Sequence, residues 1–105
     1  MNNLGEYLYK LRKKSKTTIK KITEQLQITP QYLNDLENNK RVPSSELLKK
    51  ISDIYDLNDV DSKILYDLAA KSYKSERVPI DIAEFIIENS NAKDEIRNLM
   101  KKYEK

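Results

Sequence analysis

The amino-acid sequence predicts an all-α protein, and three observations support this prediction. The 105 residues include only one glycine and three prolines, so the residues that form the tight turns of β architectures are scarce. Apolar residues recur at helical spacing along the chain. Residues that favour helix N-termini stand in front of these apolar segments. The length suits one compact domain without a second large one.

The first two predicted helices are amphipathic. The first runs from about residue 3 to about residue 15 and ends in a cluster of cations. Thr17 and Thr18 are good N-cap residues for a second, short helix that ends near Gln25. The apolar faces of these helices are Leu4, Tyr7, Leu8 and Leu11 in the first, and Ile19, Ile22 and Leu26 in the second.

A third helix is predicted to begin at Thr29 and Pro30. Threonine accepts hydrogen bonds from the amides of the first turn, and proline at the first helical position has no amide to leave unsatisfied. Asn38 and Asn39 tolerate the left-handed conformation that ends a helix. Similar signals predict a fourth helix from Pro43-Ser44, a fifth capped by Asn58 with Asp61, a polar loop over 71–77, a sixth from Pro79 and a seventh capped by Asn91 with Asp94.

The residue inventory argues against an enzyme. The chain has no histidine and no cysteine, so the commonest general base, nucleophiles and metal ligands are absent. We therefore expect no catalytic residue, no metal site and no cofactor. The N-terminus lacks the features of a signal peptide, and no segment has the ~20 apolar residues of a membrane span. A cytoplasmic protein with no membrane partner is expected.

Positive charge is concentrated in the first half of the chain. Residues 1–57 hold 11 lysines and arginines against 7 acids, giving +4, whereas residues 58–105 hold 9 against 10, giving −1. A basic half of this kind indicates a polyanionic partner. A charged face that merely keeps the protein soluble is the alternative.

The second and third predicted helices have the dimensions of a helix-turn-helix, because only the three residues from Gln27 to Thr29 separate them. The stretch from Leu11 to Ser44, LRKKSKTTIKKITEQLQITPQYLNDLENNKRVPS, resembles the Xre family of phage Cro and repressor-type DNA-binding proteins. The resemblance implies a five-helix repressor-type domain over residues 1–70. It also implies a sequence-specific transcriptional regulator of duplex DNA of prokaryotic, phage or mobile-element type, acting as an autoregulatory repressor.

Site residues follow from this resemblance. The exposed side of the third helix is expected to read base edges through Gln31, Asn34, Asp35 and Asn38. Phosphate contacts are expected from Thr18, Lys20, Lys21, Thr29, Tyr32, Lys40 and Arg41. Arg12 and Glu37 occupy positions that the family often pairs, which implies a structural ion pair fastening the third helix to the core. An ordinary polar surface is the alternative for the exposed positions.

Three residues depart from the family pattern. Ile19 stands where the family usually has a glutamine that contacts phosphate, and Thr23 replaces a small alanine. Gln27 replaces the glycine of the turn, and a positive φ at Gln27 would cost about 1 kcal/mol.

Residues 71–105 are expected to form a two-helix C-terminal extension for dimerisation or partner binding. Its aliphatic and aromatic side chains outnumber those that one face of so short a segment can bury. The expected dimer or partner surface consists of Ile82, Phe85, Ile86, Ile96, Leu99 and Met100. A homodimer would place two recognition helices in successive major grooves. The alternative function is a protein-binding module on the same fold, such as an antitoxin or a phage-encoded inhibitor.

Overall fold

The computed structural model describes residues 3–73 and 78–103, and within these ranges the chain is helical without a strand. This confirms the predicted all-α class. The helices are α1 Leu4–Ser15, α2 Ile19–Leu26, α3 Pro30–Glu37, α4 Ser45–Ile54, α5 Asp59–Lys71, α6 Ile80–Glu88 and α7 Ala92–Tyr103.

Side-chain caps fix the starts of the first five helices. Asn3, Thr18, Thr29, Ser44 and Asn58 each accept a hydrogen bond from the backbone amide three residues further along the chain. Each such cap stabilises a helix by about 1 kcal/mol. The starts predicted at Thr18, Thr29, Ser44 and Asn58 are confirmed.

Several predicted boundaries are shifted by a residue or so. Helix α2 continues to Leu26, one residue beyond the predicted end at Gln25. Helix α6 begins at Ile80, with Pro79 preceding it. The loop predicted over 71–77 begins late, because α5 includes Lys71; residues 74–77 of that loop lie outside the described residues. The cap predicted from Asn91 and Asp94 stays a prediction.

The hydrophobic core is built by α1 to α5. Its buried members are Leu4, Tyr7, Leu8, Ile22, Leu26, Leu33, Leu36, Leu47, Leu48, Ile51, Leu65 and Ala69. Helices α6 and α7, whose residues are all described, contain no buried residue. Ile80 packs against the core from the start of α6. The first five helices therefore form the folded unit that carries the helix-turn-helix.

Ile19 lies on the predicted apolar face of α2 but is largely accessible to solvent. It shares that face with Ile22 and Leu26, yet its side chain is 47% exposed while Ile22 is fully buried. Ile19 is the first residue of α2, at the position where the family pattern has a glutamine.

Gln27 ends α2 in the left-handed conformation, with φ 58° and ψ 44°. Its backbone amide donates to the carbonyl of Glu24, and the amide of Ile28 donates to that of Thr23. The family pattern has a glycine at this position, and the positive φ expected from that glycine is present at Gln27. Because glutamine carries a Cβ, this conformation is expected to cost about 1 kcal/mol of folding free energy.

Substituting Gln27→Gly is expected to raise the free energy of unfolding by about 0.5–1 kcal/mol, because glycine adopts positive φ without steric cost. Urea denaturation measures the change. The matched control is Gln25→Gly, at an exposed position inside α2, where glycine should destabilise by about 1 kcal/mol. A loss of stability in both variants would contradict the strain assigned to the turn.

Candidate nucleic-acid interface

The recognition helix α3 is presented by a short, well-capped turn. Thr29 Oγ1 accepts from the amide of Tyr32 at 3.0 Å, and Pro30 occupies the first turn. Leu33 and Leu36 are buried against the core. Helical spacing then leaves the opposite side exposed. The expected base-reading residues Gln31, Asn34 and Asn38 are exposed, and Asp35 is partly buried.

The four expected base-reading side chains form two pairs along α3. Gln31 Nε2 donates to Asp35 Oδ1 at 3.1 Å. Asn38 Nδ2 donates to Asn34 Oδ1 at 3.0 Å and to the Asn34 carbonyl at 2.8 Å. These i, i+4 contacts restrict the rotamers of the exposed amides. Donors and acceptors on this face are therefore held in place before any ligand arrives.

Arg41 offsets the acidic charge on the recognition helix. Its Nε lies 3.6 Å from Asp35 Oδ2, and its guanidinium carbon lies 5.3 Å from the centroid of the Tyr32 ring. Only 18% of the Asp35 side chain is exposed, against 60% of the Arg41 side chain. Both carboxylate oxygens of Asp35 thus have a partner, while the cation remains accessible to a second anion.

The other expected phosphate-binding residues surround α3. Lys20 and Lys21 are exposed in the first turn of α2, and Lys40 is exposed in the loop after α3. Thr18 Oγ1 accepts from the Lys21 amide at 3.1 Å, and Thr29 caps α3. Two helix N-termini with positive ends and a set of exposed cations are features that attract phosphate.

Arg12 and Glu37 form a bidentate ion pair between α1 and the end of α3. Arg12 Nε donates to Glu37 Oε2 at 2.8 Å and its Nη2 donates to Oε1 at 3.0 Å. Only 11% of each side chain is exposed. The hydrogen bond to Glu37 raises the pKa of Arg12 above its ordinary value. Burial, with the Glu37 charge nearby, raises the pKa of Tyr55 to about 12.

A second attachment at the end of α3 consists of contacts that the sequence did not predict. The Gly5 amide donates to Asn39 Oδ1 at 2.9 Å, and Asn39 Nδ2 donates to Asn3 Oδ1 at 3.0 Å. Asn39 adopts a φ of 60°. A side chain at Gly5 would collide with the backbone of Glu37. The placement of the one glycine inside a predicted amphipathic helix was the available signal for this close approach.

The C-terminal helices leave apolar side chains in solvent. Phe85 and Ile82 of α6 and Leu99 and Met100 of α7 are all about half exposed or more. Ile86 and Ile96 are partly buried. Helix α6 is attached to α4 through the ion pair between Lys49 and Glu84. Four of the six residues of the expected dimer or partner surface are therefore largely uncovered by the described part of the chain.

The described residues include neither a metal-binding cluster nor a membrane-spanning helix. Residues 3–73 and 78–103 contain no group of three or more acidic side chains arranged to hold a metal ion. None of the helices described has the length and apolarity needed to cross a bilayer.

Two short helices, a three-residue turn and an exposed polar face on the second helix define a helix-turn-helix domain. A family model described as Helix-turn-helix matches residues 8–61, a little more than half of the chain. The chain belongs to this Xre and Cro type of helix-turn-helix family, and in general terms it is a DNA-binding transcription regulator. No curated protein and no solved structure is significantly similar to the chain.

Proposed function

We propose that the protein is a repressor that binds a short inverted repeat in duplex DNA as a homodimer. The observation that carries this proposal is the surface around α3, where exposed amides are held in pairs and flanked by cations. Amides of Gln and Asn form bidentate hydrogen bonds with adenine in the major groove. Lysine and arginine beside them neutralise phosphates and supply affinity that is independent of sequence.

Roles within this surface follow from the existing contacts. Gln31 and Asn34 are the direct readers of base edges. Asp35 and Asn38 position them, because their polar atoms already bond to these two residues. Arg41 contacts phosphate with the part of its guanidinium that Asp35 leaves open, and its charge offsets the Asp35 carboxylate on α3. Thr18, Lys20, Lys21, Thr29, Tyr32 and Lys40 complete the backbone contacts.

The division of the chain follows the core. Residues 1–70 form the DNA-binding unit, and residues 71–105 form the extension through which two chains associate. Ile96, Leu99, Met100 and Tyr103 recur at i, i+3, i+4 and i+7 along α7, the spacing of one helical face. A dimer formed through such faces must hold its two recognition helices about one turn of DNA apart to bind successive major grooves.

Two variants at the interface are expected to lose binding in different ways. Lys40→Ala should weaken binding to every duplex and flatten the plot of log affinity against log salt by about one unit, because one phosphate contact is lost. Asn34→Ala should cost about 1–3 kcal/mol on the preferred sequence and little on others. Fluorescence anisotropy with selected and scrambled duplexes at several salt concentrations measures both.

Lys63→Ala is the matched control, since Lys63 is exposed on α5 outside this surface, and it should leave affinity and salt dependence unchanged. An equal loss on all sequences for Lys40→Ala and Asn34→Ala would reject these roles. Salt-insensitive or absent binding to every duplex would reject the repressor itself.

The uncovered apolar face of α6 and α7 supports a second candidate, a protein-binding module such as an antitoxin or a phage-encoded inhibitor. The two candidates differ in what the N-terminal unit does. A repressor must show tight, salt-sensitive affinity for some duplex, whereas an inhibitor that uses only its C-terminal helices need not. The affinity measurement at two salt concentrations therefore distinguishes them.

A further inference from the structure

A depression of about 330 Å³ lies between α1 and the exposed side of α3. Tyr9, Ile19 and Leu33 form its apolar part, and Pro30, Asn34 and Asn38 line it from α3 and its C-cap. Its charged residues include Arg12 and Glu37, which neutralise each other in the ion pair described above. Glu6 also lines it. The depression thus joins an exposed aliphatic side chain to the proposed base-reading amides.

Ile19 is unusual on this surface. It is a branched aliphatic residue, 47% exposed, at the first position of α2. Thr18 precedes it and the exposed Lys20 and Lys21 follow it. An alkyl group cannot bond to phosphate, so Ile19 does not share the role of its neighbours. The exposed Lys20 and Lys21 beside Ile19 nevertheless favour a polyanion over an apolar protein segment as the occupant of the depression.

Duplex DNA presents one apolar group in the major groove, the 5-methyl group of thymine. Asn34 lines the same depression as Ile19, and its amide can bond to adenine. We infer that Ile19 is a specificity-determining residue that contacts the 5-methyl group of a thymine in, or next to, the base pair read by Asn34. This inference rests on the proposed function, because it requires α3 to enter a major groove.

The test begins with duplexes selected from a random pool by the full-length protein. Each thymine of the selected half-site is then replaced by deoxyuridine, which removes the methyl group and keeps every hydrogen-bonding atom. At one thymine position the replacement should weaken binding about fourfold for each half-site, the effect that corresponds to exposing one buried methyl group.

Ile19→Ala should weaken binding to the thymine duplex by a similar factor, and it should bind the thymine and deoxyuridine duplexes equally. Val60→Ala is the matched control, because Val60 is a β-branched residue that is 67% exposed on α5, and it should keep the full preference for thymine. The deoxyuridine series on the unmodified protein makes the test independent of any effect of Ile19→Ala on folding.

The outcomes separate the two levels of the proposal. A selected site that tolerates deoxyuridine at every position overturns the role of Ile19 while leaving the repressor intact. The role of Ile19 is also overturned if Ile19→Ala still prefers thymine over deoxyuridine. It is overturned likewise if Ile19→Ala changes the self-association of the protein and leaves its DNA affinity unchanged. Failure to enrich any duplex overturns the repressor and the role of Ile19 together.

Discussion

Glu37→Ala is expected to lower the free energy of unfolding by about 3 kcal/mol or more, because it leaves the Arg12 guanidinium unpaired in a site where only 11% of its side chain is exposed. Proteins of this size are stable by about 5–15 kcal/mol, so the loss is a large share of the total. Both hydrogen bonds between α1 and α3 disappear with the carboxylate. Chemical denaturation followed by circular dichroism measures the change.

Asp35→Ala is the matched control on the same helix. Its ion pair with Arg41 is longer, at 3.6 Å, and the cation is 60% exposed, so its loss should cost no more than about 1 kcal/mol. The double variant Arg12→Met/Glu37→Leu should recover most of the stability, because it leaves no unpaired buried charge. Equal losses for Glu37→Ala and Asp35→Ala would show that the bidentate pair contributes no special stability.

Gly5→Ala is expected to destabilise the protein by about 1–3 kcal/mol despite the higher helix propensity of alanine. The added methyl group would approach the carbonyl oxygen of Glu37 more closely than a carbon atom can, and would lie 2.8 Å from the carbonyl carbon and from Asn39 Nδ2. Backbone atoms cannot rotate away, so α1 and the end of α3 must separate. Thermal unfolding reports the loss, and duplex binding reports the displacement of α3.

Lys10→Ala controls for helix propensity, because Lys10 is exposed on the same helix and its substitution should change stability by less than about 0.5 kcal/mol. Adding Asn39→Ala to Gly5→Ala should not restore stability, since the Glu37 carbonyl remains. A Gly5→Ala protein as stable as the parent, with unchanged affinity for DNA, would contradict the close approach described between α1 and α3.

Local signals explain why the helix-turn-helix was predictable. The caps at Thr18 and Thr29, the proline at the start of α3 and the turn between them act over four residues or fewer, so they are visible in the chain itself. The all-α class and the start of α3 could be predicted from such local signals, and both predictions are confirmed. The pairing of Arg12 with Glu37 lies beyond local signals, and it was expected only from the resemblance to a family.

Tertiary geometry explains what the sequence left open. The exposure of Ile19 depends on which neighbours reach the first turn of α2, and helical periodicity does not contain that information. The bridge through Gly5 and Asn39 joins residues 34 positions apart in the chain. The ion pair between Asp35 and Arg41 depends on the path of the loop that carries Arg41. Each of these features arises where two elements meet, so a pattern within one element cannot predict it.

The two attachments at the C-terminal end of α3 have a thermodynamic consequence. The last turn of α3 is bonded to α1 through both side chains and backbone. Such a helix enters a groove of DNA as a rigid body, and few of its torsion angles become ordered on binding. Under the proposed function, binding would lose little free energy to the ordering of α3. A rigid α3 also could not change its conformation to fit a mismatched base pair. Discrimination would then depend on fixed hydrogen-bonding geometry, and the heat-capacity change of association should reflect contact area with little contribution from coupled folding.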